Sequence, residues 1–252
     1  MTDPILYSRT GHIGRMVLNI PHKHNALGRD ALVAIRAVLE QVRADADVRV
    51  LLVTAAGEKT FCAGAALDEM DASKATDDFF AQTMAQIADL AVPTVCAING
   101  NVFGGGVELA LSCDFRIGIE GSRMRVPAAA IGLCYPLIGM QRFLQTLGPR
   151  VSKRLLVAAE EFDASSMLQI GFLDHVVMRS QLVSFADAYA SDIAALAPLA
   201  VQSMKQLLQQ AAAGSIDEEQ AQVLAERCAA SEDLLEGFAA KSERRLPRFK
   251  GR

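Results

Sequence analysis

No run of apolar residues in this 252-residue chain approaches the roughly 18 that a membrane-spanning helix needs. The opening stretch MTDPILYSRT lacks the basic region and apolar segment that mark a secretory signal. Five cysteines (Cys62, Cys96, Cys113, Cys134 and Cys228) stand far apart, and no C-x-x-C pair occurs. That spacing argues against a metal framework and fits small buried hydrophobes in a reducing compartment. Together these absences lead to the expectation of a cytoplasmic protein that engages no membrane. A basic stripe is missing too: the net charge is −4 and the 25 Lys and Arg residues are scattered. Nucleic-acid recognition is therefore not expected, although one local phosphate contact remains open. The tail KSERRLPRFKGR is the one dense basic cluster, a solvated terminus or a contact for an anionic ligand.

What is present is a change of texture along the chain. ILYSRT and RMVLNI read as paired strands, with GHIG supplying the turn. GRDALVAIRAVLEQVRAD places Ala31, Ile35, Val38, Leu39 and Val42 on one helical face. VRVLLVTAA, TVCAI and DFRIGI are continuous apolar runs, the pattern of strands covered on both sides, with helical stretches between them. Alternation of this kind implies parallel pairing and an α/β core. After about residue 139 successive helical stretches follow, among them PLAVQSMKQLLQQAAAG and DEEQAQVLAERCAASEDLLEGFAAK. Pro198 suits a first helical turn and Gly214 a helix stop. So much apolar helix surface points to self-association.

The chemistry concentrates in NVFGGGVELALSCD, residues 101–114. Gly104, Gly105 and Gly106 leave the backbone bare just before a helix starts, where amides lack intrahelical partners. No Lys-Ser or Lys-Thr follows, which excludes a Walker phosphate site, and no G-x-S-x-G occurs, which counts against a serine hydrolase. A second small-residue loop, TFCAGAAL at residues 60–67, lies directly after the strand VRVLLVTAA. If the two loops converge, one amide from each would flank a single oxygen and form an oxyanion hole. Glu108 sits three residues past Gly105, among Val107, Leu109, Ala110 and Leu111. Burial there raises its pKa and the helix start lowers it, a balance suited to proton exchange near neutral pH. The alternative is a glutamate that merely complements the helix dipole.

These stretches resemble the crotonase superfamily, the enoyl-CoA hydratase/isomerase group, nearly end to end. HKHNAL, FCAGAALDEM, INGNVFGGGVELALSCDFRI and EGFAAKSERRLPRF carry the resemblance. It implies an α/β fold, a repeated ββα superhelix over residues 1–195. A helical region for trimerisation and for covering CoA would occupy residues 196–252. It further implies an acyl-CoA thioester as a small-molecule ligand, a homotrimer or dimer of trimers, and no separate cofactor or metal. By position Ala65 and Gly105 match the oxyanion donors. Ala63, Ala66, Leu67 and Gly104 fall where substrate and CoA are contacted. Phe238 and Lys241 match positions where a C-terminal helix, often a neighbour's, reaches CoA. Glu108 matches the first of two catalytic glutamates.

The chain departs from that pattern at the second glutamate, where VPAAAIGLCYP places Ala128. An alanine transfers no proton. The same segment brings Tyr135, as in the methylmalonyl-CoA decarboxylase branch, and a phenol can hydrogen-bond a carboxylate or protonate an enolate. The leading expectation is a hydratase/isomerase-type lyase using Glu108. The alternatives are a decarboxylase using Tyr135, or an acyl-CoA-binding homologue impaired by Ala128. Asp68 and Glu69 read as a solvated helix start, His22 and His24 as surface or phosphate contacts, and Asp114 as a turn or cap.

Overall fold

The computed structural model describes residues 3–66 and 79–252; Leu67, Asp68 and Glu69 lie outside the described residues. The first two strand signals form a hairpin, β1 (Ile5–Thr10) antiparallel to β2 (Ile13–Leu18). The turn is shorter than GHIG, because Ile13 and Gly14 already pair with Val50 and Leu51 of β3 (Val50–Ala55). Between β2 and β3 runs α1 (Arg29–Ala44), and all five residues of its expected face are buried, with Leu32 beside them. Each of its valine, leucine and isoleucine side chains contributes about 1.5–3 kcal/mol when fully buried. This face anchors the helix more than its N-cap does, since Gly28 offers no side-chain oxygen.

From β3 onward the chain repeats one arrangement: a strand in a large sheet, a short strand in a small sheet, then a helix. The units are β3, β4 (Thr60–Cys62) and α2 (Phe79–Ala88); β5 (Thr94–Ile98), β6 (Asn101–Phe103) and α3 (Gly105–Leu111); β7 (Phe115–Ile119), β8 (Arg123–Arg125) and α4 (Leu137–Leu156). Strands of equal rank become neighbours. Closed by β9 (Phe162–Asp163) and β10 (His175–Val177), the sheets run β1-β2-β3-β5-β7-β10 and β4-β6-β8-β9. From β2 to β10 the large sheet is parallel. The repeat is one of topology; three-residue strands are too short to show a period in sequence.

The continuous apolar runs are explained by cover on both faces of the large sheet. Leu51, Val53 and Cys96 join the core that contains the buried face of α1. Val50, Leu52 and Val95 join a second core with α6 (Leu182–Ala194), which contributes Leu182, Ala186 and Ala190. Between α4 and α6 lie β9, α5 (Ala164–Gln169) and β10, strands of two and three residues and a helix of six, each too short to show a period in sequence.

α7 (Pro198–Ala213) begins at Pro198 and ends on Gly214 in a left-handed conformation, as expected. The stretch read as one further helix is two, α8 (Glu218–Ala229) and α9 (Glu232–Glu243). Ser231 causes the break: its hydroxyl accepts the Leu234 amide and caps a new helix. The tail folds back, with the buried Asp233 carboxylate accepting the amides of Lys250 and Gly251 at 2.6 and 2.8 Å. Arg49 holds the Phe249 carbonyl at 2.8 Å. Among the described residues no single helix is long and apolar enough to cross a membrane.

Candidate active site

β4 and β6 are parallel neighbours, with Thr60 opposite Asn101 and Cys62 opposite Val102. The segments leaving their carboxyl ends therefore emerge side by side, and these are the two small-residue loops. A β-carbon on Gly64 would lie 2.5 Å from the Gly105 nitrogen, and Gly64 holds φ +95°. Only glycine satisfies both demands. The expectation that TFCAGAAL, the first of these loops in chain order, directly follows the long strand is corrected: β4 intervenes and belongs to the small sheet.

The amides differ in how they are used. Leu27 donates to the Gly64 carbonyl at 2.7 Å and accepts from Ala66 N–H at 3.1 Å, forming a parallel bridge opposite Ala65. A bridge of this kind uses the residues flanking Ala65, so the Ala65 N–H points away from Leu27. Gly105 opens α3, where backbone amides have no intrahelical acceptor. Gly104 N–H is already taken, donating to the Arg125 carbonyl at 2.9 Å. Phe80 packs on the other side of Gly105, where an added β-carbon would meet its ring at 2.5 Å.

The first loop is set by Asn25, a member of the HKHNAL segment that carried no expected role. Asn25 is fully buried; its Oδ1 accepts Ile20 N–H, and its Nδ2 donates to the Ala56 and Thr60 carbonyls at 2.9 and 3.0 Å. Ala63 N–H donates to the His24 carbonyl at 3.0 Å, and the Cys62 thiol donates to the Asn25 carbonyl at 3.2 Å. Buried polar groups so fully paired fix the backbone they touch.

Glu108 lies one turn into α3 and is 1 % exposed. Tyr135 Oη donates to its Oε2 at 2.8 Å, and Arg142 Nη1 donates to its Oε1 at 2.9 Å. Burial pushes the Glu108 carboxyl up from its ordinary value, while the Tyr135 hydrogen bond and the Arg142 charge pull it down. The Tyr135 phenol is driven well up, first by burial and then by the Glu108 charge. Its ring stands edge-on to Phe143, with centroids 5.4 Å apart. Gly139 makes room for the pair: a β-carbon there would lie 2.5 Å from Tyr135 Cε1 and 2.9 Å from Glu108 Oε2. Sequence reasoning brought out Glu108 and Tyr135 but missed Arg142. Its signal was slight, an arginine beside the apolar Phe143, three residues from Gly139 and so on the same helical face.

The remaining expected residues fall as follows. Ala63 and Ala65 are half-buried in the first loop, and Ala66 is buried. Ala128 is buried in the main core and carries no polar atom beyond its backbone. Phe238 is 65 % exposed. With Lys241 it lines a cleft of about 530 Å³ between α7, α8, α9 and the tail, whose lining includes neither Glu108 nor Tyr135. Asp114 is more than a turn residue: its Oδ2 accepts Thr94 N–H at 2.7 Å and Lys205 Nζ at 2.6 Å, fastening β5 to α7. His24 Nδ1 lies 3.4 Å from Thr60 Oγ1. Among the described residues no three His, Cys, Asp or Glu side chains are grouped to hold a metal.

A profile described as enoyl-CoA hydratase/isomerase matches residues 8–252. The chain belongs to the enoyl-CoA hydratase/isomerase family. A carnitinyl-CoA dehydratase of Proteus mirabilis is 33% identical to it over 262 residues, covering 100% of both chains. A short-chain-enoyl-CoA hydratase of Clostridium acetobutylicum is 30% identical over 257 residues, covering 98% of each. The solved structure of an enoyl-CoA hydratase/carnithine racemase from Magnetospirillum magneticum matches with a TM-score of 0.94 and 27% identity, over 100% of this chain and 97% of that one. The enoyl-CoA hydratase from Bacillus anthracis matches with a TM-score of 0.91 at 29% identity, over 99% of this chain and 100% of that one. The ββα units and the C-terminal helices are thus the crotonase fold of this family.

Proposed function

We propose that this member of the family is an acyl-CoA lyase of the hydratase–dehydratase type, working in the cytoplasm without a separate cofactor or metal. In this reading the thioester carbonyl oxygen accepts from the amides of Ala65 and Gly105. Enolate charge then collects on an oxygen already facing two donors, each worth typically about 2.7–4 kcal/mol. Glu108 exchanges the proton with the substrate carbon or holds the reacting water, with Tyr135 at its other side. Ala63, Ala66 and Gly104 line the approach. Phe238 and Lys241 reach CoA from another copy in a homotrimer or dimer of trimers. Residues 1–195 would form the catalytic core and residues 196–252 the assembly and CoA-covering part.

The observation that carries this reading is the buried, doubly hydrogen-bonded Glu108 carboxyl beside two adjoining small-residue loops. Hydration of crotonyl-CoA tests it. Glu108→Gln should lower turnover by about 10²–10⁴-fold, and a variant as active as the wild type overturns the assignment. Ala128 and the Tyr135–Glu108 hydrogen bond favour a second reading, decarboxylation, in which loss of CO2 itself generates the enolate. That reading replaces the first if the wild type leaves crotonyl-CoA unchanged, decarboxylates methylmalonyl-CoA, and slows as Tyr135→Phe. Binding of both thioesters with turnover of neither would identify an impaired acyl-CoA binder.

A further inference from the structure

We propose that Arg142 is a positioning residue. Its guanidinium, with the Tyr135 hydroxyl, fixes both oxygens of Glu108 and favours the ionised carboxylate against burial, so that Glu108 serves as the base and Tyr135 carries the transferable proton. This rests on the reading of Glu108 as the proton-exchanging group. It assigns Arg142, which touches no reacting atom, a role that acts through Glu108.

The chemistry of the three groups divides the roles. A carboxylate with 1 % exposure is costly to ionise unless charged or polar donors meet it. Arg142 supplies a charge-assisted hydrogen bond at 2.9 Å from a side chain itself only 12% exposed. A guanidinium has donors only and does not lose its proton in proteins, so Arg142 stabilises charge without passing a proton on. The Tyr135 hydroxyl both donates and accepts, and it bonds the opposite oxygen at 2.8 Å. Gly139, on the same helix as Arg142, leaves the space in which the phenol and carboxylate meet. Cys62 of β4 is the other titratable group acting on Tyr135 among the described residues, and burial holds its thiol protonated, pushed up to about 12. Ala128 contributes no charge. Arg142 and Tyr135 are therefore the side chains that oppose burial at the Glu108 carboxyl.

Difference infrared titration of the protonated-carboxyl band, assigned by its loss in Glu108→Gln, reads this directly and needs no substrate. Arg142→Gln should move the Glu108 midpoint upward by about 1–3 pH units. Arg142→Lys, which restores a charge but not the planar fork, should return most of that shift. The acid limb of the kcat/KM profile for crotonyl-CoA should move with the midpoint, whereas a merely structural role would lower the rate and leave the limb in place. An unmoved midpoint in Arg142→Gln, or an equal shift in Arg142→Lys, overturns the proposal. Should Arg142→Gln fail to fold, Arg142→Met, which keeps the length of the side chain without its charge, carries the test, and an unmoved midpoint there refutes the proposal. A shifted midpoint in a protein that turns over no acyl-CoA would overturn the functional reading of Glu108 and leave the hold of Arg142 standing.

Discussion

Glu108 in α3 and Glu236 in α9 are each gripped by an arginine, Arg142 and Arg245. Arg245 reaches both oxygens of Glu236, at 2.5 and 2.8 Å, and the Arg248 amide adds a third bond at 2.7 Å. Glu236, near the surface, is held down to about 2, with the Arg245 hydrogen bond as the main cause. Glu108, with donors of the same kind, is shifted the other way because burial outweighs them. Counting partners therefore does not fix the charge state of a carboxyl group. Glu236 is a permanent anion that pins the tail, while Glu108 lies closer to the neutral range, where an acid–base group is effective.

The sharpest way to break this contrast is one substitution made in both regions. At Gly139 an added methyl group meets Tyr135 Cε1 at 2.5 Å and Glu108 Oε2 at 2.9 Å, and Phe143 stands edge-on to the ring. At Gly237, in α9, the nearest atom to the same methyl is Phe249 Cε1 at 3.7 Å, an ordinary contact. Gly139→Ala should cost about 1–3 kcal/mol by calorimetry through overpacking, and about 10²-fold in turnover by displacing Glu108. Gly237→Ala should instead stabilise the helix by about 0.5–1 kcal/mol. Equal signs at the two positions would show that the site is not tightly packed.

Much of this was legible in the sequence, and what was not has physical reasons. The face of α1 and the runs of β3, β5 and β7 are long enough to show their periods, and the structure uses them as read. β4, β6 and β8 are three residues each, so no period announces them, and the origin of the first loop was misplaced for that reason. Glu108 stood out because a lone charge inside VELAL conflicts with its neighbours. Arg142 did not, since an arginine in an amphipathic helix reads as solvent-facing until the fold turns it inward. Asn25 was hidden likewise: its four hydrogen-bond partners come from residues 5 to 37 positions away, and no local pattern carries them.

A smaller effect sharpens the same comparison through pH. The folded value of Glu236 lies below its ordinary 4.5, so its contribution to stability is complete above that pH. It is lost as the pH falls from about 4.5 toward about 2. Glu108 is raised in the fold, so its contribution is present below 4.5 and declines as the pH rises through its folded value. The melting-temperature gap between wild type and Glu236→Gln should therefore close on acidification. The corresponding gap for Glu108→Gln should change in the opposite sense over the same range. Parallel curves would mean that burial does not separate the two carboxyl groups.

The smallest effect on the isolated chain is expected at the apolar surface of the C-terminal helices. Every side-chain position from Gly106 to Leu111 of α3 is buried, whereas α8 buries none, and Leu235 of α9 is 69% exposed. Leu235→Ser should change the stability of a single chain by no more than about 0.5 kcal/mol, since it touches no core. If copies of the chain associate through this surface, the same change removes apolar area from the interface and weakens assembly. Sedimentation velocity over a dilution series should then show the variant dissociating at a higher concentration than the wild type, with the Glu108 infrared band unchanged. Identical sedimentation at every dilution would place Leu235 outside any interface. The exposed face of α9 would then be set by the fold of its own chain alone, as the buried face of α3 already is.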